Sequence, residues 1–171
     1  MITVNTDKVI KNFKKAHDIC EDFSALWVKI IGPANDKKQW TLRGSVLNNY
    51  MNKSTPDGYK WPSLTENYLK QKINKVGNKP MGVFSGRTFD SFMNKNTDSV
   101  VFPFPKKLIY GTSVPYAYYL QFGSKKRPML SITKNQKKYW KTLVYQFAKA
   151  SFQGAKDAKA AADTASDKVT K

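Results

Sequence analysis

The side chains best able to do chemistry are few and scattered in this sequence. His17 is the only histidine and Cys20 the only cysteine. A metal site needs clustered His, Cys, Asp or Glu, and one of each near the same end does not supply it. Cys20 could in principle be a nucleophile, but it falls on an apolar stripe, where free cysteine behaves as a small core residue. A single cysteine allows no intrachain disulfide, which fits a reducing compartment. Ser85-Gly86-Arg87 lacks the Gly-x-Ser-x-Gly elbow that presents a hydrolase serine. No Gly-rich loop ends in Gly-Lys-Ser/Thr, so the phosphate cradle of a P-loop is absent. Asp90 could pair with Asp98 or Glu66, but nothing in the spacing selects them, and carboxylates ordinarily sit at the surface. The expectation is a protein that is not an enzyme, with no catalytic, metal or cofactor-binding residues.

The charge balance is the strongest compositional signal. Thirty Lys/Arg face 12 Asp/Glu, for a net charge of +18 over 171 residues. Such a field attracts nucleic acid, anionic membrane surfaces or acidic protein patches. Only Arg43, Arg87 and Arg127 are arginines, however, and the planar guanidinium is the group that suits specific phosphate and base-edge contacts. No apolar run approaches a membrane span, and the first residues show no basic segment followed by an apolar one. The expectation is a chain made in a cytoplasm, without membrane contact.

The elements that must carry these residues follow from periodicity and breakers. Val9, Phe13, Ala16, Cys20, Phe23, Trp27 and Ile30 recur at steps of three and four, which predicts one helix capped by Thr6 and stopped by Gly32-Pro33. A second helix is expected from about Asp36 to Met51, with Trp40, Leu47, Tyr50 and Met51 on its stripe, making a helical hairpin. Pro56-Asp57-Gly58 is a turn signal, and a short basic helix should run from Thr65 to Lys75. Phe84, Phe89 and Phe92 read as core anchors around Gly86. Residues 99–104 and 107–112, rich in Val, Ile, Phe and Tyr, read as a β-hairpin. Pro103 and Pro105 make the first strand an edge strand or end it early. Ser113 can cap a short aromatic helix over residues 116–122, which Gly123 stops. A last helix is expected from Thr133 to Phe152. The fold class is α+β: an N-terminal helical hairpin, a small antiparallel sheet, a short aromatic helix and a C-terminal helix packed on the sheet. Residues 1–153 form the domain, and residues 154–171 form a low-complexity Ala/Lys/Asp tail, disordered or extending the last helix.

The motifs of this framework are Pro56-Asp57-Gly58-Tyr59-Lys60-Trp61-Pro62-Ser63-Leu64, Phe84-Ser85-Gly86-Arg87-Thr88-Phe89-Asp90-Ser91-Phe92, the run from Tyr110 through Tyr116-Ala117-Tyr118-Tyr119-Leu120-Gln121-Phe122-Gly123, and Arg127-Pro128-Met129-Leu130. Their order and spacing resemble those of tailed-bacteriophage virion-morphogenesis proteins, the group that includes tail-completion and head–tail neck proteins. The resemblance covers roughly residues 56–152. It implies a small α+β subunit that closes an oligomeric ring, commonly six-fold, to complete or terminate the tail and join it to the connector. The partners it implies are further copies of the chain, adjacent connector or adaptor proteins, tail-tube or tail-terminator proteins, and DNA passing through the lumen. The location it implies is the virion neck or tail, after assembly in the host cytoplasm.

On this reading the interface residues are Tyr116, Tyr118, Tyr119, Gln121, Phe122, Lys125, Lys126 and Arg127, with the hairpin from Val100 to Ile109. Tyr and Arg are enriched at interface hot spots, although aromatics serve cores equally well and half of these could be buried. Trp61 and Phe84 are expected to anchor the core. Pro56, Asp57, Gly58, Gly86, Gly111 and Gly123 are expected to shape turns. The alternative is a basic nucleic-acid-binding module, with Lys60, Lys70, Lys72, Lys75, Lys125, Lys126 and Arg127 on phosphates.

Overall fold

A computed structural model describes residues 6–34, 36–55, 57–78, 86–123 and 127–169. Among them, α1 spans Thr6–Cys20, α2 Ser24–Ile31, α3 Leu42–Asn52, α4 Glu66–Val76 and α5 Arg87–Met93. Strands β1 (Ser99–Phe104) and β2 (Lys107–Thr112) pair next, followed by α6 (Ala117–Phe122), α7 (Lys134–Phe152) and α8 (Ala158–Val169). This is an α+β fold in which helices pack on a small antiparallel sheet. The strands have the expected bounds. The chain divides into two compact units. The first comprises Met1–Ile30, Phe102–Ile109 and Lys137–Lys171, and the second comprises Ile31–Val101 and Tyr110–Gln136.

In the first unit, the helix expected to run unbroken to Ile30 is two helices. The Asp22 carboxylate accepts the Ser24 N–H at 2.8 Å, a local bond that competes with continuing the helix. The Phe23 N–H donates instead to the Pro105 carbonyl at 2.9 Å. The break shifts the phase of the apolar face. Ala16, Ile19, Leu26 and Ile30 are buried, while Phe13 is exposed and Cys20 is only partly covered. The side chains of Thr6 and Val9 lie outside the described residues.

The tip of the hairpin docks on this break. Trp27 Nε1 donates to the Phe104 carbonyl at 2.9 Å, and Lys106 pairs with Glu21. Leu143, Phe147 and Ala150 form the buried face of α7, with the Phe147 ring tilted against Phe23 at 5.3 Å. Gly154, at φ +94°, separates α7 from the Ala/Lys/Asp segment. That segment is a helix of its own, α8. Ala161, Ala162 and Ala165 are fully buried, and Asp163 pairs with Lys29 at 2.5 Å.

In the second unit, α3 begins at Leu42, six residues later than expected, so Trp40 precedes it. Asp36 diverts the chain first: its carboxylate accepts the Lys38 N–H at 3.0 Å and the Thr41 hydroxyl at 2.8 Å. Thr41 then caps the helix by accepting the Gly44 N–H at 3.1 Å. The core gathers Val46, Tyr50, Trp61, Phe92, Met93, Val114, Ala117 and Met129. Tyr50 meets Trp61 and Phe89 edge-to-face at 5.5 and 5.0 Å, and α3 packs on α5. Burial pushes the Tyr50 hydroxyl pKa well above its usual value.

The turn at residues 55–59 is closed by Thr55 N–H to Tyr59 O at 2.8 Å, with Gly58 at φ +88°, a conformation glycine adopts without steric cost. Asp57 is exposed on that turn. Gly86, at φ +89°, caps α5, as a turn residue should. Gly111 shapes no turn; it lies inside β2. Pro56 and Phe84 lie outside the described residues. Ser113 does not cap α6. It donates its N–H to the Asp98 carbonyl at 2.9 Å, and α6 starts from Tyr116 without a side-chain cap. Thr133 and Gln136 do form a reciprocal capping box at the start of α7, at 3.1 and 2.9 Å.

Arg87 ties α5 to the entry of β1. Its Nε and Nη2 reach the two Asp98 oxygens at 2.6 and 2.7 Å. The hydrogen bond from Arg87, helped by its charge, holds the Asp98 carboxyl below the ordinary carboxylate range. A carboxyl depressed on folding contributes stability that is present above the unfolded pKa of about 3.9 and lost as pH falls through the lower folded value. Wild-type unfolding midpoints should therefore drop more steeply below pH ~4 than those of Asp98→Asn. Identical acid limbs in the two proteins would refute this assignment.

Candidate assembly interface

The segment from Tyr116 to Leu130 sorts its residues by chemistry. Ala117 is buried and Leu120 packs against the core of the second unit. The aromatics go the other way. Tyr118, Tyr119 and Phe122 are 65, 70 and 62% exposed, and Tyr116 is exposed as well. Three of them touch one another: Tyr118 lies 5.8 Å from Tyr119, edge-on, and 5.2 Å from Phe122. None of the four is a core residue, although half of the group could have been. The outcome follows from a six-residue helix that has only one inward face, which Ala117 and Leu120 fill.

The polar members of the same segment are used internally. Gln121 Oε1 accepts the Met129 N–H at 3.0 Å, and Gln121 Nε2 donates to the Leu130 carbonyl at 2.8 Å. Arg127 donates from Nη2 to the carbonyls of Pro62 and Ser63 at 3.0 and 3.4 Å. Its own N–H donates to the Leu120 carbonyl at 2.7 Å. Asn49 Nδ2 donates to the Met129 carbonyl at 3.0 Å, and the Tyr50 hydroxyl donates to Met129 sulfur at 2.6 Å. Gly123 ends α6, its N–H donating to the Tyr119 carbonyl at 2.9 Å. Gln121 and Arg127 are thus clasps that fix the aromatic helix to the unit. Lys125 and Lys126 lie outside the described residues.

The geometry is that of a preorganised apolar contact. The backbone carrying the aromatics is held at several points, so a partner would immobilise little beyond side chains. A contiguous aromatic patch on a small protein marks an interaction surface, and tyrosine suits such a place because its ring is apolar and its hydroxyl tolerates water. The hairpin carries a separate exposed aromatic pair in the first unit. Phe102 and Phe104 are exposed 6.1 Å apart, with Lys107 Nζ 5.2 Å from the Phe104 ring.

The residues assigned to phosphate contact differ in exposure. Lys60, Lys70 and Lys75 are exposed, whereas Lys72 is buried and Arg127 is engaged by carbonyls. A different basic surface escapes motif reading altogether. From Ser99 to Lys156 the chain holds no Asp or Glu, and that stretch includes all of α7. The signal lay in the position of the acids, not in their total number. Among the described residues no group of three His, Cys, Asp or Glu could hold a metal ion, and no helix is long and apolar enough to cross a membrane. Comparison with protein-family models, curated proteins and solved structures yields no match.

Proposed function

We propose that this chain is a structural subunit of a tailed-phage head–tail junction, closing an oligomeric ring of about six copies that completes or terminates the tail and meets the connector. The observation that carries the reading is the aromatic face of Tyr118, Tyr119 and Phe122, with Tyr116 exposed at the helix start, on a helix whose polar residues hold it in place. The order of the surrounding motifs, which resembles that of tail-completion and neck proteins, supports the ring and its position. The role is stereochemical and asks for a rigid, self-complementary apolar surface. Substituting Tyr118, Tyr119 and Phe122 together by serine should convert rings to monomers while leaving the fold intact, since all three are exposed. Native mass spectrometry with negative-stain imaging reads the result. A wild-type protein that stays monomeric at high concentration would overturn the reading, as would rings that survive the triple substitution.

A further inference from the structure

The outer face of α7 points to a second activity. In the first unit, Lys137, Lys138, Lys141, Tyr145 and Lys149 are all exposed. At about 100° per residue they fall within an arc of about 120°. Leu143, Phe147 and Ala150 occupy the opposite side and are buried. None of the four lysines is in an ion pair among the described residues. Several acids of this unit are engaged by other groups. Glu21 pairs with Lys106, Asp163 pairs with Lys29, Asp22 accepts the Ser24 N–H, and Asp157 accepts the Ala160 N–H at 2.8 Å. The result is a straight, unneutralised cationic ridge. Lys137 to Lys149 covers about 18 Å at 1.5 Å per residue, and the four-residue step from Lys137 to Lys141 advances about 6 Å, close to two phosphates of one B-DNA strand.

We infer that this ridge binds the phosphate backbone of duplex DNA. Charge complementarity favours a polyanion with regularly spaced charges over a folded acidic protein. A membrane surface is disfavoured because an interfacial helix inserts an apolar face beside its lysines, and the apolar face of α7 is already in the core. The ridge contains lysine and no arginine, so it should position the duplex without reading its sequence. The inference does not depend on the ring reading: it concerns a different helix face and is read by a different measurement.

The test is a salt titration with a short labelled duplex of mixed sequence, comparing the whole chain with K137Q/K138Q/K141Q/K149Q. Losing four phosphate contacts should make the slope of log K against log salt shallower by about 3.6. The wild type's advantage over the variant should then shrink about 150-fold between 50 and 200 mM salt. The charge-matched control K60Q/K70Q/K75Q/K95Q, made at exposed lysines of the second unit, should change the slope by less than one contact. An equal change in both variants would show binding by diffuse net charge and overturn the inference. An unchanged slope in the α7 variant would do the same. So would tighter wild-type binding to phosphatidylserine vesicles than to duplex, lost in the α7 variant. Should the quadruple variant not fold, Lys141→Gln alone should lower the slope by about 0.9, and no change there refutes the inference.

Discussion

Replacing Gly44 by alanine is expected to lower the stability of the second unit by about 3 kcal/mol, the upper part of the range for overpacking. Helix propensity alone argues the reverse, since alanine in a helix interior is better than glycine by about 1 kcal/mol. The structure decides between them. The turn that starts at Asp36 crosses directly over the first turn of α3, and a Cβ at Gly44 would overlap the Lys38 carbonyl oxygen and approach Thr41 Oγ1 to 2.9 Å. Neither neighbour is free to yield. Lys38 O accepts the Thr41 N–H at 3.1 Å, and Thr41 Oγ1 is the helix cap. Moving them undoes the turn and the cap together. Urea unfolding followed by tryptophan fluorescence measures the cost, and a neutral or stabilised Gly44→Ala would show that the crossing is not as close as described.

Phe147→Ala should cost the first unit about 4 kcal/mol, the usual toll for deleting a buried phenyl ring. Phe147 is 0% exposed, flanked on its helix face by Leu143 and Ala150 and in tilted ring contact with Phe23. Phe23 is itself held by its N–H bond to Pro105, so the cavity has little freedom to collapse. Five residues further on, Phe152 is mostly exposed and meets the aromatic Phe13 at 5.8 Å. Phe152→Ala should therefore stay within about 0.5 kcal/mol. Chemical denaturation of the two variants side by side tests the contrast, and similar losses would contradict it.

The legibility of the fold varied with the range of the forces involved. The hairpin was readable to the residue, because alternating β-branched and aromatic side chains flanking a Pro-Lys bend are local signals. The ends of α4 and α7 came within a residue for the same reason. The break between α1 and α2 and the late start of α3 were not readable from apolar spacing. Both are imposed by one carboxylate each, Asp22 and Asp36, taking backbone or hydroxyl protons that a helix would otherwise leave outward. The Ala/Lys/Asp segment offered little to bury, yet Ala161, Ala162 and Ala165 lie on one side of α8 and are small enough for close approach.

At the candidate interface, residue type pointed to Tyr118, Tyr119 and Phe122, but their exposure depends on which face of α6 the core consumes. Gln121 and Arg127 looked like contact residues in sequence. Their internal hydrogen bonds became visible only once carbonyls 62 and 63, distant along the chain, and the nearby peptides 129 and 130 were placed beside them.

The strand β1 continues through Pro103, so that residue occupies a place where the ladder to β2 needs no N–H. The outward edge of β1 therefore lacks a donor there, and Pro105 removes another just past its end. A stray extended peptide, or the same hairpin from a misfolded neighbour, could not lengthen the sheet on that side by an unbroken ladder. Chains crowded together during synthesis thus have one sheet edge protected against strand addition, which leaves association to side-chain surfaces with defined shape.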